Sequence, residues 1–211
     1  MASTTRRRST AADRRTALEE RMVSALEELL RGGLTYTELS VEQLAHAAGI
    51  SRSTFYLYFR DKVDVLLRVS GTLRIRSLEI AEGWQPCGPG GGVDGLASTY
   101  EQIIGHYREH AALLSAIHEV AAYDPAVRDA WSAHQDRFVD NTVALLKEEQ
   151  RAGRTCADID PQLAARMIVQ GGGEVITRQV FDGDGSDDAD VARELAHGYW
   201  HGVYRRPELR N

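Results

Sequence analysis

The segment SRSTFYLYFRDK, from Ser51 to Lys62, combines four aromatic residues with three basic residues and a single acidic one. A hydrophobic core would use the rings but not the charges, and a solvated surface would use the charges but not the rings. Tyrosine hydroxyls and basic side chains both bind phosphate oxygens. The composition of this segment therefore indicates contact with a polar, anionic partner.

A helical conformation divides these aromatic residues between two faces. Phe55 and Phe59 are four residues apart, so they share one face and are predicted to pack against the preceding helices. Tyr56 follows Phe55 by about 100° around the helix and is predicted to face outward. Ordinary packing is the alternative for Tyr56 and Tyr58.

Two histidine pairs have the four-residue spacing that can bind zinc on one helix face, namely His106 with His110 and His197 with His201. Neither pair has a cysteine or an evident third ligand in the sequence, so no metal site and no cofactor are predicted. No Ser-His-Asp arrangement or carboxylate pair stands out, and GPGGG lacks the strand and the lysine of a phosphate loop. The sequence therefore does not predict an enzyme.

The elements that must position these residues are helices. Apolar residues recur at three- and four-residue steps from Leu18 to Leu30, and no alternating strand pattern or internal repeat occurs. The fold class is predicted to be all-α, with about nine helices. Beyond CGPGGG, the clearest break in the chain, helices are predicted over roughly 93–109, 111–123, 125–152, 160–182 and 188–204.

Local sequence signals predict where the first helices begin and end. Ser40 and Gln43 form a capping box before the second helix, which stops at Gly49. Ser51 caps a third helix, and Asp61 caps a long fourth one. Two short helices joined through AAGIS have the proportions of a helix-turn-helix, whose second helix enters the major groove of DNA.

The charge distribution agrees with a nucleic-acid module attached to a different kind of domain. The net charge is −6, but residues 1–62 carry +2 and the remainder carries −8. No apolar run approaches the length of a membrane span, so no membrane partner is predicted. Cys87 and Cys156 lie far apart and are interpreted as reduced thiols of a cytoplasmic protein.

The segment LSVEQLAHAAGISRSTFYLYFRDKVDVLL resembles the DNA-binding signature of TetR-family transcriptional repressors. The tripeptides DAW and NTV and the helical spacing near the C-terminus are similar to the branch typified by the repressor of the ethionamide-activating monooxygenase. The resemblance implies a homodimer on a palindromic operator, dimerised through the last two helices and released by a small molecule. The expected domains are a disordered basic arm over 1–13, a three-helix helix-turn-helix domain over 14–62, and a ligand-binding and dimerisation domain over 63–211.

The resemblance also implies which side chains contact DNA. Leu57 differs from the polar residues or tryptophan often found at its position in the family. The alternatives are that it contacts a thymine methyl group or that it does not contribute to base recognition. Arg6–Arg8 are either a minor-groove arm or a solvated tail. The residues carried over as DNA contacts are Ser40, Arg52, Ser53, Thr54, Tyr56, Leu57, Tyr58 and Lys62.

Apolar stripes with a few polar groups predict a small-molecule site in the larger domain, with plain core packing as the alternative. The fifth helix supplies Leu96, Tyr100, Ile104 and Tyr107, from a stripe that also includes Ile103. The long helix after Pro125 supplies Trp131, Gln135, Phe138, Asn141 and Thr142. The resemblance adds Gln170, Gly173, Glu174 and Tyr199 from the last two helices.

Three glycines, Gly171–Gly173, are unexpected inside a helix, where each costs about 1 kcal/mol relative to alanine. Close approach of another helix, space for a ligand and a flexible kink all remain open. The predicted function is a ligand-released transcriptional repressor. The alternative is a helical small-molecule-binding protein or enzyme that does not bind DNA.

Overall fold

The computed structural model describes residues 11–207, with side chains described from residue 15 onward. All regular elements in this range are helical, which confirms the all-α prediction. The chain forms two compact units that divide between Gly71 and Thr72. The predicted boundary at residue 62 is the start of the helix that contains this division. Arg6–Arg8 of the predicted arm lie outside the described residues.

The first unit contains three helices and the first part of a fourth, which continues into the second unit. They are α1 (Ala11–Arg31), α2 (Val41–Ala47), α3 (Arg52–Tyr58) and α4 (Lys62–Glu82). The starts of α2, α3 and α4 follow the local signals. The Ser40 hydroxyl accepts from the amide of Gln43, whose side chain in turn accepts from the amide of Ser40, so the predicted capping box is confirmed. Gly49 has a φ of +66°, the left-handed conformation that a sharp turn between α2 and α3 requires.

The core of the first unit contains the predicted inward aromatic residues. Phe55 and Phe59 are fully buried, and their ring centroids are 5.3 Å apart. Met22, Leu26 and Leu44 complete this core from α1 and α2. Burial of such side chains contributes about 1.5–3 kcal/mol each, so the Phe face of α3 fixes the orientation of its opposite face.

The second unit consists of helices of very different lengths. They are α5 (Gly92–Glu109), α6 (Ala111–Ala121), α7 (Pro125–Arg151), α8 (Pro161–Arg166), α9 (Gly172–Asp182) and α10 (Asp188–Tyr199). Asp124 and Asp160 cap α7 and α8, and a proline occupies the first turn of each. Helix α5 packs against α6, α9 and α10, so it is buried on several sides.

The helix predicted over 160–182 contains a π segment, Met167–Gly171, that joins α8 to α9, and a second π segment follows α10 over Trp200–Tyr204. The glycine run lies at the end of the first π segment. A Cβ on Gly171 would lie 3.2 Å from the Tyr199 hydroxyl, and one on Gly172 would lie 3.4 Å from the same ring. Two of the glycines therefore allow the Tyr199 ring to approach the helix closely.

Arg108 ties the end of α5 to the connection between α9 and α10. Its Nε and Nη2 donate to the two carboxylate oxygens of Asp188, each at 2.7 Å. The same guanidinium donates to the carbonyls of Gln179 at 2.8 Å and Gly183 at 2.9 Å. One side chain thus satisfies a carboxylate and the last carbonyls of α9.

No helix among residues 11–207 combines the length and apolar character that crossing a bilayer requires. Cys87 is exposed and Cys156 is buried, and neither forms a disulfide.

Candidate functional sites: a DNA interface and an internal cavity

Helix α3 presents a polar first turn and two exposed large side chains. The Ser51 hydroxyl accepts from the amide of Thr54 at 3.1 Å and lies 2.8 Å from the Ser53 hydroxyl. Tyr56 is 49% exposed and Leu57 is 77% exposed, whereas Tyr58 is half-buried. Exposed apolar surface of this kind, opposite a buried face, is typical of a binding surface.

Arg52 is held at the edge of this surface by contacts from both sides. Its Nη1 donates to Glu42 of α2 at 2.6 Å, and its guanidinium lies 5.8 Å from the centroid of the Tyr56 ring. Both partners of the ion pair are well exposed, so the pair is weak in water and can exchange Glu42 for a phosphate or a base edge.

Lys62 has a different partner from the phosphate that was predicted. Its ammonium donates to the carbonyls of Tyr36 at 3.1 Å, Thr37 at 2.9 Å and Leu39 at 3.1 Å. The Tyr36 hydroxyl donates in return to the Lys62 carbonyl. Because an ammonium has three donors, these carbonyls use all of them. Lys62 therefore ties the start of α4 to the loop before α2.

Asp64 anchors the corner between α3 and α4. It accepts from Arg68 at 3.0 and 3.1 Å and from the amide of Arg60 at 3.1 Å. Burial raises the pKa of Asp64, but the bonds from Arg68 and Arg60 outweigh burial, so its pKa lies below the ordinary value. The corner is therefore held by a carboxylate that stays charged at neutral pH.

The second unit contains a partly open cavity of about 90 Å³ between the end of α4, α5, α7, α9 and the two π segments. By volume it holds several water-sized groups. Nine of the predicted ligand residues lie in its wall: Leu96, Tyr100, Tyr107, Trp131, Gln135, Phe138, Asn141, Thr142 and Gly173. The third glycine of the run thus leaves space in the cavity, since a Cβ there would point toward Gln135.

Four predicted ligand residues do not line the cavity. Ile104 is fully buried on another side of α5, and Ile103 lines the cavity instead. Gln170 and Glu174 are exposed, and Glu174 pairs with Arg178 at 2.7 Å. Tyr199 packs on the glycine run and on the Tyr100 ring.

About half of the residues in the cavity wall were not predicted from the sequence. Leu145 is one turn beyond Asn141, so the stripe on α7 contained the signal that would have found it. Ala81 belongs to α4 and Trp84 follows the end of that helix, and neither had a predicted role in the site. The remaining missed residues are Thr99, Ile103, Ile168, Val169, Ile176, Thr177 and Tyr204.

The cavity wall contains no acidic, basic or histidine side chain among its residues. Its polar side chains are the amides of Gln135 and Asn141, the indole N–H groups of the tryptophans and the hydroxyls of Thr99, Thr142, Thr177 and the tyrosines. Burial raises the pKa of Tyr107 to about 12 and raises that of Tyr100 well above its ordinary value, so both hydroxyls are neutral. This environment favours an uncharged ligand with one or two hydrogen-bonding groups.

His134 is buried next to the cavity wall, with ring centroids 5.3 Å from Trp131 and 4.9 Å from Phe138. Burial, helped by the charges of Arg74 and Arg137, lowers the pKa of His134 to about 4. An unfolded chain would protonate the same ring at a pKa of about 6.5.

This difference predicts acid sensitivity of the second unit. The contribution of neutral His134 to the free energy of unfolding is complete above pH 6.5. It is lost as the pH falls toward 4, because His134 is protonated in the unfolded chain before it is protonated in the folded one. We expect the free energy of unfolding to fall by about 3 kcal/mol over this range. Urea unfolding followed by tryptophan fluorescence measures it, since Trp84, Trp131 and Trp200 all lie in the second unit.

His134→Gln should remove most of this pH dependence. His201→Gln is the control, because His201 is exposed in the same unit. A His134→Gln protein with the same pH slope as the original protein would contradict the role given to His134.

Comparison with known proteins places both units in one family. Residues 24–69 match the bacterial regulatory proteins of the tetR family, and residues 96–204 match the C-terminal domain of the transcriptional regulator EthR. The HTH-type transcriptional regulator EthR of Mycolicibacterium smegmatis is 30% identical over 118 residues. The matched region is 56% of this chain and 54% of that protein, so it spans about half the length of this curated relative.

Solved structures share the fold at lower identity. GusR from Salmonella enterica is 19% identical with a TM-score of 0.70, over 90% of this chain and 97% of that one. NalD, the secondary repressor of the MexAB-OprM multidrug efflux pump in Pseudomonas aeruginosa, is 18% identical with a TM-score of 0.67, over 92% and 100%. From these matches and the helix-turn-helix, the chain belongs to the TetR family of bacterial regulatory proteins and carries an EthR-type C-terminal domain.

Proposed function

We propose that the protein is a cytoplasmic transcriptional repressor that binds a palindromic DNA operator as a homodimer and leaves it when a small molecule binds. The observation that carries this proposal is the two-sided character of α3. Its Phe55 face is buried, while Arg52, Tyr56 and Leu57 form an exposed face with no acidic side chain of their own helix. In a helix-turn-helix this is the face that meets base edges and phosphates.

Exposed apolar residues on α8 and α9 support a homodimer through the last helices. Leu163, Met167, Val175 and Phe181 are all large and exposed. A groove between α9 and α10 is lined by Val175, Val191, Leu195 and Tyr199, among others. Exposed large apolar side chains beside an apolar groove are common at protein interfaces. Sedimentation equilibrium of the full chain measures the assembly state.

The cavity supports an uncharged, apolar or amphipathic effector. Apolar rings supply most of its wall, and Asn141 and Gln135 supply amides that can orient a ligand. A library of such compounds, screened by melting temperature, identifies binders because a ligand stabilises the folded state by mass action.

A mobility-shift experiment with the DNA upstream of the protein's own coding sequence tests the proposed function. We expect the protein to shift this DNA, with an affinity that falls steeply as the salt concentration rises. A compound identified in the screen should release the DNA. A protein that binds the screened compound but shifts no DNA would instead be a helical small-molecule-binding protein or enzyme.

Phe138→Ala should separate ligand response from DNA binding. Loss of this ring from the cavity wall should lower the affinity for the compound by about 10- to 100-fold, since burying such a ring contributes about 1.5–3 kcal/mol. The affinity for DNA without the compound should stay unchanged. Equal loss of both properties would show that Phe138 only supports the fold, and Tyr123→Ala, outside the cavity wall, is the control.

A further inference from the structure

We propose that His106, Glu109 and His110, at the end of α5, form a binding site for a divalent transition-metal ion such as Zn²⁺. One ligand atom from each of the three side chains lies within 4.8 Å of the other two. The residues are spaced at i, i+3 and i+4, so they share one helix face. The histidine spacing was visible in the sequence, whereas Glu109 was not recognised as a third ligand.

The orientation of His106 suits a metal ligand. Its Nε2 lies 3.2 Å from the carbonyl oxygen of Leu73 in α4, and only an N–H can donate to a carbonyl. The proton is therefore on Nε2, and Nδ1 keeps its lone pair. Metal-binding histidines usually donate their other ring N–H to a carbonyl or carboxylate in this way, because that bond fixes the tautomer and the ring plane.

The other two ligand side chains lie at the surface beside His106. The His110 ring lies edge-on to the His106 ring with centroids 5.0 Å apart, and both His110 and Glu109 are accessible to solvent. Zinc would require each of the three ligand atoms to lie 2.0–2.2 Å from the ion, so binding involves rotation of these side chains.

The donor set selects the class of metal. Two imidazole nitrogens and one carboxylate suit Zn²⁺, Co²⁺ or Ni²⁺, with water in the remaining position, whereas Ca²⁺ and Mg²⁺ require mostly oxygen ligands. His197 and His201 have the same four-residue spacing and serve as a comparison for the His106–His110 pair. Their rings are stacked 5.8 Å apart, and no third ligand joins them within the described part of the chain.

Titration of the full chain with Co²⁺, followed by its visible absorption, tests the site, and displacement of Co²⁺ by Zn²⁺ gives the zinc affinity. We expect one ion per chain, with no displacement by Ca²⁺ or Mg²⁺. His110→Ala and Glu109→Gln should each weaken Zn²⁺ by at least about tenfold, the lower end of what loss of a supporting partner costs. The double variant His197→Ala/His201→Ala should bind as the original protein does.

Three results would overturn the proposal: no Co²⁺ absorption with the original protein, undiminished Zn²⁺ affinity in both site variants, or loss of binding in the double variant. Tryptophan fluorescence confirms that each variant is folded before titration. The measurement involves neither DNA nor an organic effector, so its outcome is separate from that of the proposed function.

Discussion

Tyr56→Ala should weaken binding to operator DNA by about 30- to 1000-fold. Tyr56 is the half-exposed aromatic residue on the outer face of α3, beside the guanidinium of Arg52. Loss of one such contact costs about 1–2 kcal/mol, and a homodimer loses it in both recognition helices. The total of about 2–4 kcal/mol corresponds to the expected change in affinity.

Fluorescence anisotropy of labelled DNA at two salt concentrations measures this effect. Tyr56→Phe separates the hydroxyl from the ring: a phosphate contact through the hydroxyl would be lost in both variants. Tyr123→Ala is the matched control, because Tyr123 is 55% exposed, close to the 49% of Tyr56, but lies in the second unit. Equal affinities of the Tyr56→Ala and Tyr123→Ala proteins would exclude α3 as the reading helix.

Arg108→Met should lower the free energy of unfolding of the second unit by about 3 kcal/mol. The side chain of Arg108 is 27% exposed and that of Asp188 is 18% exposed, so the pair is largely shielded from water. Removing Arg108 leaves the Gly183 carbonyl without its side-chain donor. Asp188 would keep only the bond from the Gln179 side-chain amide at 2.9 Å, and the Gln179 carbonyl only the bond from the Gly183 amide at 3.2 Å. Breaking a shielded pair of this kind costs several times more than breaking a surface pair.

Urea unfolding at pH 7, followed by tryptophan fluorescence, measures the change. Arg178→Met is the matched control, because Arg178 bonds Glu174 at the same 2.7 Å but with side chains 72% and 62% exposed. Its unfolding midpoint should hardly move. If the two variants unfolded at the same urea concentration, the Arg108 bonds would not be a major source of stability.

Features that depend on neighbouring residues were predictable from the sequence. Three such contacts each join residues three apart. They are the capping box of Ser40 and Gln43, the cap at Ser51, and the hydrogen bond from the Asp64 amide to the Asp61 carboxylate. The inward Phe55 and outward Tyr56 follow from the helical repeat alone. In each case the partners are within one helical turn, so no knowledge of tertiary packing was needed.

The residues that line the cavity were less predictable from the sequence. Helix α5 is buried on several sides, so its apolar stripe is too wide to indicate which residue faces the cavity. Ile104 was selected, but Ile103 lines the wall. Gln170 was predicted to line the site, but its side chain lies on the exposed side of the first π segment.

The sequence by itself determined the helices, the helix-turn-helix and the two faces of α3, because these depend on residue order within a few turns. Only the tertiary structure decided the partners of Lys62, which are carbonyls 23 to 26 residues earlier in the chain. It also decided that Gly171 and Gly172 accommodate the Tyr199 ring, from a helix more than 25 residues later. The physical reason is the same in both cases: an ammonium or a ring binds whatever folding brings within a few ångströms, and residue spacing does not specify that distance.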